Sequence, residues 1–204
     1  MADALYWTLK RVLTPLADRY FSLRATGLEH LPAGPFIIAG NHSSLLDWLF
    51  VARFVERPIR FVLTREFYDQ LGVTALYRQL GVIPIRDGGI ELSAVRQLLG
   101  TLERGEIVGV FPEGRITLDG ALLPAQPGVI AIAARARVPI VPVGVRGAFA
   151  AFPRDARLPR PHAISVAYGA PLEIPLAAVR SRDGQGRLAA ELMRRIGELC
   201  AGSP

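Results

Sequence analysis

A chain of 204 residues, half of them hydrophobic, fits one domain with a sizeable core, and its mean hydropathy of +0.29 is high. No apolar run approaches the roughly 18 residues that span a bilayer. The N-terminus lacks the succession of a signal peptide, so the expectation is a cytoplasmic protein that touches membranes without crossing them. The net charge of +6 rests almost wholly on arginine, because Lys10 is the only lysine. Lysine-based Schiff-base and P-loop chemistry is therefore excluded nearly by inventory. One cysteine, Cys200, permits neither an internal disulfide nor a thiolate cluster, and His30, His42 and His162 show no close metal-ligand spacing. No metal is expected. The basic surplus suits nucleic acid, an anionic membrane surface or a phosphorylated substrate. Arginine is the residue fitted to bidentate phosphate contacts.

Residues 4–23 place Leu5, Leu9, Val12, Leu13, Leu16, Tyr20 and Leu23 at a helical period, with Lys10, Arg11 and Arg19 alongside. That predicts an amphipathic helix that lies on a membrane or packs on the core. Pro15 would kink or divide it. Residues 35–40, "PFIIAG", read as a buried strand, 44–55 as a helix and 59–63 as a second strand. Two short helices broken near Gly72 fill 65–81, and 82–85 is a short strand. Residues 90–105 read as an amphipathic helix from Ile90, ended by Gly105. Strands at 107–111, 139–145 and 163–169 and helices at 128–137 and 185–200 complete the pattern. The Pro- and Arg-rich loop at 146–162 is the expected mobile or interface segment. Strands alternating with helices predict an α/β fold, a mostly parallel central sheet flanked by helices. Residues 1–24 are expected as an N-terminal membrane-associating helix and 25–204 as one domain.

The stretch "IIAGNHSSLLDW" puts His42 just after a strand and Asp47 five residues later. Mid-helix, five residues turn about 500°, which leaves two side chains roughly 140° apart. They meet only if His42 lies in the turn and Asp47 in the first helical turn, and Ser44 as N-cap would supply that layout. Asp47 would then fix the tautomer of His42 and leave its other nitrogen as a base. Ser44 and Asp47 also match a capping box, in which Asp47 merely caps the helix. Both readings stand at this point.

A second strand ends in "VFPEGRITLDG", where Pro112, Glu113, Gly114 and Arg115 make a tight turn at the edge where open α/β sheets bind ligands. Glu113 would orient Arg115 or another arginine. Arg86 follows "GVIPI" in the same way. In a parallel sheet, His42, Arg86 and Glu113/Arg115 would converge on one edge.

"NHSSLLD" resembles the N-H-x-x-x-x-D motif of the glycerolipid acyltransferase family, typified by bacterial 1-acylglycerol-3-phosphate acyltransferase. "GVIPIRD", "VFPEGRIT" and "VPIVPVGV" resemble its second, third and fourth blocks, in order, within about residues 25–172. The resemblance implies that His42, oriented by Asp47, deprotonates a glycerol hydroxyl that attacks acyl-CoA or acyl-carrier protein. It implies that Arg86 and Arg115 hold the acceptor phosphate, with Glu113 and Gly114 shaping the pocket. A base that titrates near neutrality suits this step, and imidazole supplies one. The implied partners are a lysophospholipid, the acyl donor as co-substrate and the cytoplasmic membrane surface, with no cofactor and no nucleic acid. Ser43 and Ser44 lie close enough to His42 for a covalent role to be worth testing.

Two stretches depart from the family pattern. "LPAQPGV" carries Gln126 and Pro127 where members commonly have a basic residue before the glycine. "GRIT" resembles the acyltransferase half of bifunctional enzymes that reacylate lysophosphatidylethanolamine. The expected acceptor is 1-acylglycerol-3-phosphate, giving phosphatidate, with lysophosphatidylethanolamine as the alternative. A thioesterase or esterase would use the same His-Asp pair on water, but the chain has no G-x-S-x-G elbow. A non-catalytic lipid-binding protein would use the same basic, apolar surface. "GQGRLA" at 184–189 has no preceding strand and does not signal a dinucleotide site.

Overall fold

The computed structural model describes residues 2–69, 72–86 and 91–202. Asp87 of "GVIPIRD" and Ile90, expected to open a helix, lie outside them. Seven strands are described: β1 (Ser22–Thr26), β2 (Phe36–Gly40), β3 (Ile59–Thr64), β4 (Ile83–Ile85), β5 (Ile107–Val110), β6 (Ile140–Arg146) and β7 (Ala163–Tyr168). They form one sheet in the order β1-β7-β6-β2-β5-β3-β4. Every pairing is parallel except β6 with β7. The chain is thus an α/β layer structure with a mostly parallel central sheet.

Buried on both faces, β2 shows why its sequence is continuously apolar. Phe36 and Ile38 enter one core, and Ile37 and Ala39 enter the other. The first core is closed by α1 (Ala2–Tyr20) and α2 (Asp47–Arg53), through Ala17 and Phe50. The second is closed by α5 (Leu92–Glu103), α6 (Gly128–Ala136) and α8 (Arg182–Ala201), through Leu98, Ile130 and Leu192. Two short helices, α3 (Arg65–Tyr68) and α4 (Thr74–Gln79), link β3 to β4, with Gly72 at φ 90 between them. Only a residue without Cβ adopts that conformation at little cost. Among the described residues no helix is long and apolar enough to cross a membrane.

Several expectations are corrected. Pro15 neither divides nor ends α1, which runs unbroken from Ala2 to Tyr20. The helical period carried the expected helix through Leu23, yet Leu23 lies in β1, whose pairing with β7 overrides it. The 146–162 segment, expected as a mobile or interface loop, contains the short helix α7 (Ala148–Ala151). Its Ala148 and Ala151 are buried and Arg160 N donates to Ala151 O at 2.7 Å.

α1 is fastened to the body along its length. Asp3 meets Arg60 at 2.6 Å, Lys10 Nζ donates to Val55 O, and Asp18 pairs with Arg53 at 2.9 Å. Lys10, counted in the sequence among a basic membrane face, is turned toward the domain. Burial there lowers its ammonium to about 8.

Candidate active site

The site is built where β2 and β5 end side by side. Past Gly40 the β2 backbone leaves the sheet, but Asn41 extends the pairing with its side chain. Asn41 Nδ2 donates to Val145 O at 2.9 Å, and Val145 N donates to Asn41 Oδ1 at 2.7 Å. An amide side chain mimics a peptide group, so the ladder to β6 continues while the main chain turns away with His42.

One oxygen of Asp47 then organises the turn. Oδ2 accepts from Ser43 N at 2.7 Å and Ser44 N at 2.8 Å, and it lies 2.9 Å from His42 Nδ1. The two readings left open by the sequence converge on this atom: the carboxylate that caps the turn is the one that orients the imidazole. Ser44 is not the N-cap. Leu46 precedes the helix, and Ser44 Oγ accepts from Leu46 N at 3.1 Å. Asp47 is fully buried at the first position of α2, where an acid suits the helix dipole. Burial raises its carboxyl above the ordinary range, opposed by the His42 and backbone hydrogen bonds. Its Oδ1 is buried without a partner among the described residues.

The His42 main chain is held from the other strand. His42 N donates to Glu113 Oε1 at 2.7 Å, and Thr117 N donates to His42 O at 2.9 Å. Glu113 Oε2 accepts from Leu123 N at 2.9 Å. Glu113 therefore orients the histidine segment and the 120s loop, not an arginine as expected from sequence. It is buried, which raises its carboxyl, against the lowering by these two N–H groups. Gly114 follows at φ 74, and a Cβ there would sit 2.9 Å from Gln126 Nε2. The non-basic residue of "LPAQPGV" thus closes on the turn itself.

The ring of His42 is stacked. Phe111 lies parallel to it with centroids 4.1 Å apart and planes 14° apart, and Phe61 stacks behind Phe111 at 6.0 Å. Gly109 makes room for this column, since a Cβ there would come within 2.6 Å of the Phe61 ring. With Asp47 ionised, Nδ1 carries the proton and Nε2 is left as the acceptor. Nε2 has no hydrogen-bond partner among the described residues.

The arginines are less gathered. Arg115 is exposed beside Gly114 and forms no ion pair among the described residues. Arg86 follows β4 on the same edge, but two strands from β5, roughly 10 Å at ordinary strand spacing. Its Nε meets Glu91 at 2.5 Å. The structure brings together His42, Asp47, Glu113 and Gly114, with Arg115 adjoining and Arg86 apart. Asn41, Phe111 and Gly109 are the residues that the motif reading passed over. Cys200 is no candidate nucleophile, because burial pushes its thiol up to about 11.

Residues 22–146 match the family model described as Acyltransferase. The chain belongs to the Acyltransferase family. All six expected site residues fall inside that match. The chain is 26% identical over 132 residues to the chloroplastic 1-acyl-sn-glycerol-3-phosphate acyltransferase BAT2 of Brassica napus, covering 63% of this chain and 38% of that protein. It is 26% identical over 121 residues to the 1-acyl-sn-glycerol-3-phosphate acyltransferase of Bacillus subtilis, covering 58% and 60%. The chain therefore spans less than two thirds of the length of these curated relatives. The crystal structure of the 1-acyl-sn-glycerophosphate (LPA) acyltransferase PlsC from Thermotoga maritima superposes with a TM-score of 0.77 at 25% identity, covering 99% of this chain and 83% of that one.

Proposed function

We propose that the protein transfers a fatty acyl group to the free hydroxyl of a lysophospholipid, with 1-acylglycerol-3-phosphate as acceptor and phosphatidate as product. The observation that carries this reading is the His42 Nδ1–Asp47 Oδ2 pair at 2.9 Å, with a histidine backbone pinned by Glu113. The relatives named above supply the acceptor.

In this mechanism His42 Nε2 takes the proton of the acceptor hydroxyl. The oxygen attacks the thioester carbonyl of acyl-CoA or acyl-carrier protein. A C–O bond forms, the C–S bond breaks, and the proton passes from His42 to the departing thiolate. Buried Asp47 stabilises the transient imidazolium. Arg115 receives the acceptor phosphate, with Arg86 reaching it by exchanging its bond to Glu91, and Glu113 and Gly114 set the pocket wall. The step uses no metal or cofactor. An acidic cytoplasmic leaflet would attract the +6 chain, which supports reading the enzyme as a peripheral or monotopic protein at the cytoplasmic face of the cell membrane. Residues 1–24 carry its membrane-associating element, and residues 25–204 form its acyltransferase domain.

Lysophosphatidylethanolamine is a second reading. It is favoured by Gln126 against Gly114, with the exposed Arg115 at that turn forming no ion pair among the described residues. The test is acyl transfer from labelled long-chain acyl-CoA and acyl-carrier protein to lysophosphatidate, lysophosphatidylethanolamine and no acceptor. Preferred transfer to lysophosphatidate supports the primary reading. Fatty acid release without acceptor makes the protein a hydrolase, and lipid binding without turnover makes it a lipid-binding protein.

A further inference from the structure

Among the exposed large apolar side chains are Leu16, Tyr20 and Leu158. β1 begins at Ser22 beside Ala163, the start of β7, and β7 runs antiparallel to β6, with Ser165 opposite Arg146. β6 runs parallel to β2, which ends before His42. The end of α1, the β6–β7 loop and His42 therefore lie at one pole of the sheet.

At that pole two exposed segments are joined. Tyr20 Oη donates to Pro159 O at 2.7 Å. In the second half of α1, Leu16 is 61% exposed and Tyr20 43%. In the loop, Leu158 is 76% exposed, and it stands among the exposed Arg154, Arg157 and Arg160. None of these three arginines has an ion pair among the described residues, although most surface arginines of α8 do. Asp155 is the only acid between Pro153 and Pro161.

We propose that this composite patch of Leu16, Tyr20, Leu158, Arg154, Arg157 and Arg160 is the seat of the protein on an anionic lipid bilayer. Guanidinium groups meet lipid phosphates while leucine and tyrosine enter the interface. Unpaired cations interleaved with exposed leucines match a surface that is both anionic and apolar. A polyanion such as nucleic acid offers no partner for Leu158. α1 then meets the membrane with its C-terminal half, not its whole length, because Asp3 and Lys10 are held against the domain. The pole carrying His42 faces the lipid, which is where a lysophospholipid acceptor resides. The orientation rests on the proposed function only for its purpose, and binding is read without turnover.

The test is cosedimentation of the full chain with phosphatidylcholine vesicles, with and without phosphatidylglycerol. Binding is expected to need phosphatidylglycerol and to weaken with salt. Joint Arg154→Glu, Arg157→Glu and Arg160→Glu should lower vesicle affinity about a hundredfold, and Leu158→Asp about tenfold. Leu176→Asp, 51% exposed in the 3-10 turn after β7, should change nothing. On a water-dispersed short-chain acceptor the loop variants should keep wild-type turnover, so a failed patch and a failed acyltransferase reading are told apart. Undiminished vesicle binding in the folded variants, or retention on a nucleic acid matrix with no vesicle binding, would overturn the proposal.

Discussion

The main-chain N–H of His42 donates to Glu113 Oε1 at 2.7 Å, across 71 residues of sequence. The two motif blocks that looked like separate strand-end turns are one unit, closed by the Glu113 carboxylate on the histidine and on Leu123 N. Removal of that carboxylate strands two N–H donors. Glu113→Ala is expected to cost about 2–4 kcal/mol of stability and to lower kcat by at least about tenfold. Denaturant unfolding and steady-state kinetics check both. Wild-type stability in Glu113→Ala would show that solvent replaces the carboxylate.

Asp47→Asn separates capping from charge. An amide oxygen in the place of Oδ2 still accepts from Ser43 N and Ser44 N, so the turn survives. The negative charge beside His42 is gone, and kcat is expected to fall by about 10²–10⁴ with less than about 3 kcal/mol lost in stability. Equal, severe loss of stability and activity would show that Asp47 acts only as a cap.

Burial raises both Asp47 and Glu113. A carboxyl raised on folding takes up protons as the chain folds. Its contribution to stability is fully present below the ordinary carboxylate range and is lost as pH rises through the raised value. Glu113→Gln removes one such group. Its stability should therefore depend less steeply on pH than that of the wild type across this window, as thermal unfolding at stepped pH will show. A steeper loss in the variant contradicts the sign.

The ring column predicts an effect at a distance. Gly109→Ala drives a Cβ to 2.6 Å from Phe61 and 2.7 Å from Ile59 Cγ2. The expected cost is about 1–3 kcal/mol, with kcat lowered more than KM because Phe61 backs Phe111 and Phe111 backs His42. Phe111→Leu should lower kcat several-fold, and Phe111→Tyr should retain it. If Phe111→Leu changes KM alone, the stack serves substrate binding.

Much of this was legible in the sequence because the signals were local. The turn at Gly72, the buried strands and the His42–Asp47 pairing follow from periodicity and from residue types at strand ends. β1 was not legible, because "SLRAT" is an edge strand that continues a helical pattern and is fixed only by β7. The role of Glu113 was misread for a similar reason. Its partners are main-chain N–H groups, which no side-chain pattern advertises. Asn41 looked like part of a motif string, while its use as a surrogate peptide for β6 required knowing that β6 lies beside β2. Arg86 follows a strand end on the same edge, as a parallel sheet implies, but local sequence does not reveal the strand order that sets it two strands from β5.

The most direct test of the central claim is the rate of ester formation from labelled acyl donor and lysophosphatidate by His42→Ala, compared with wild type at equal folded concentration. The bonds from Glu113 and Thr117 go to the His42 main chain, so the variant should fold. A fall of about 10²–10⁴ in kcat with the fold intact is predicted. Turnover within about twofold of wild type would contradict the account, leaving His42 a structural residue and the acyl transfer, if any, to another base.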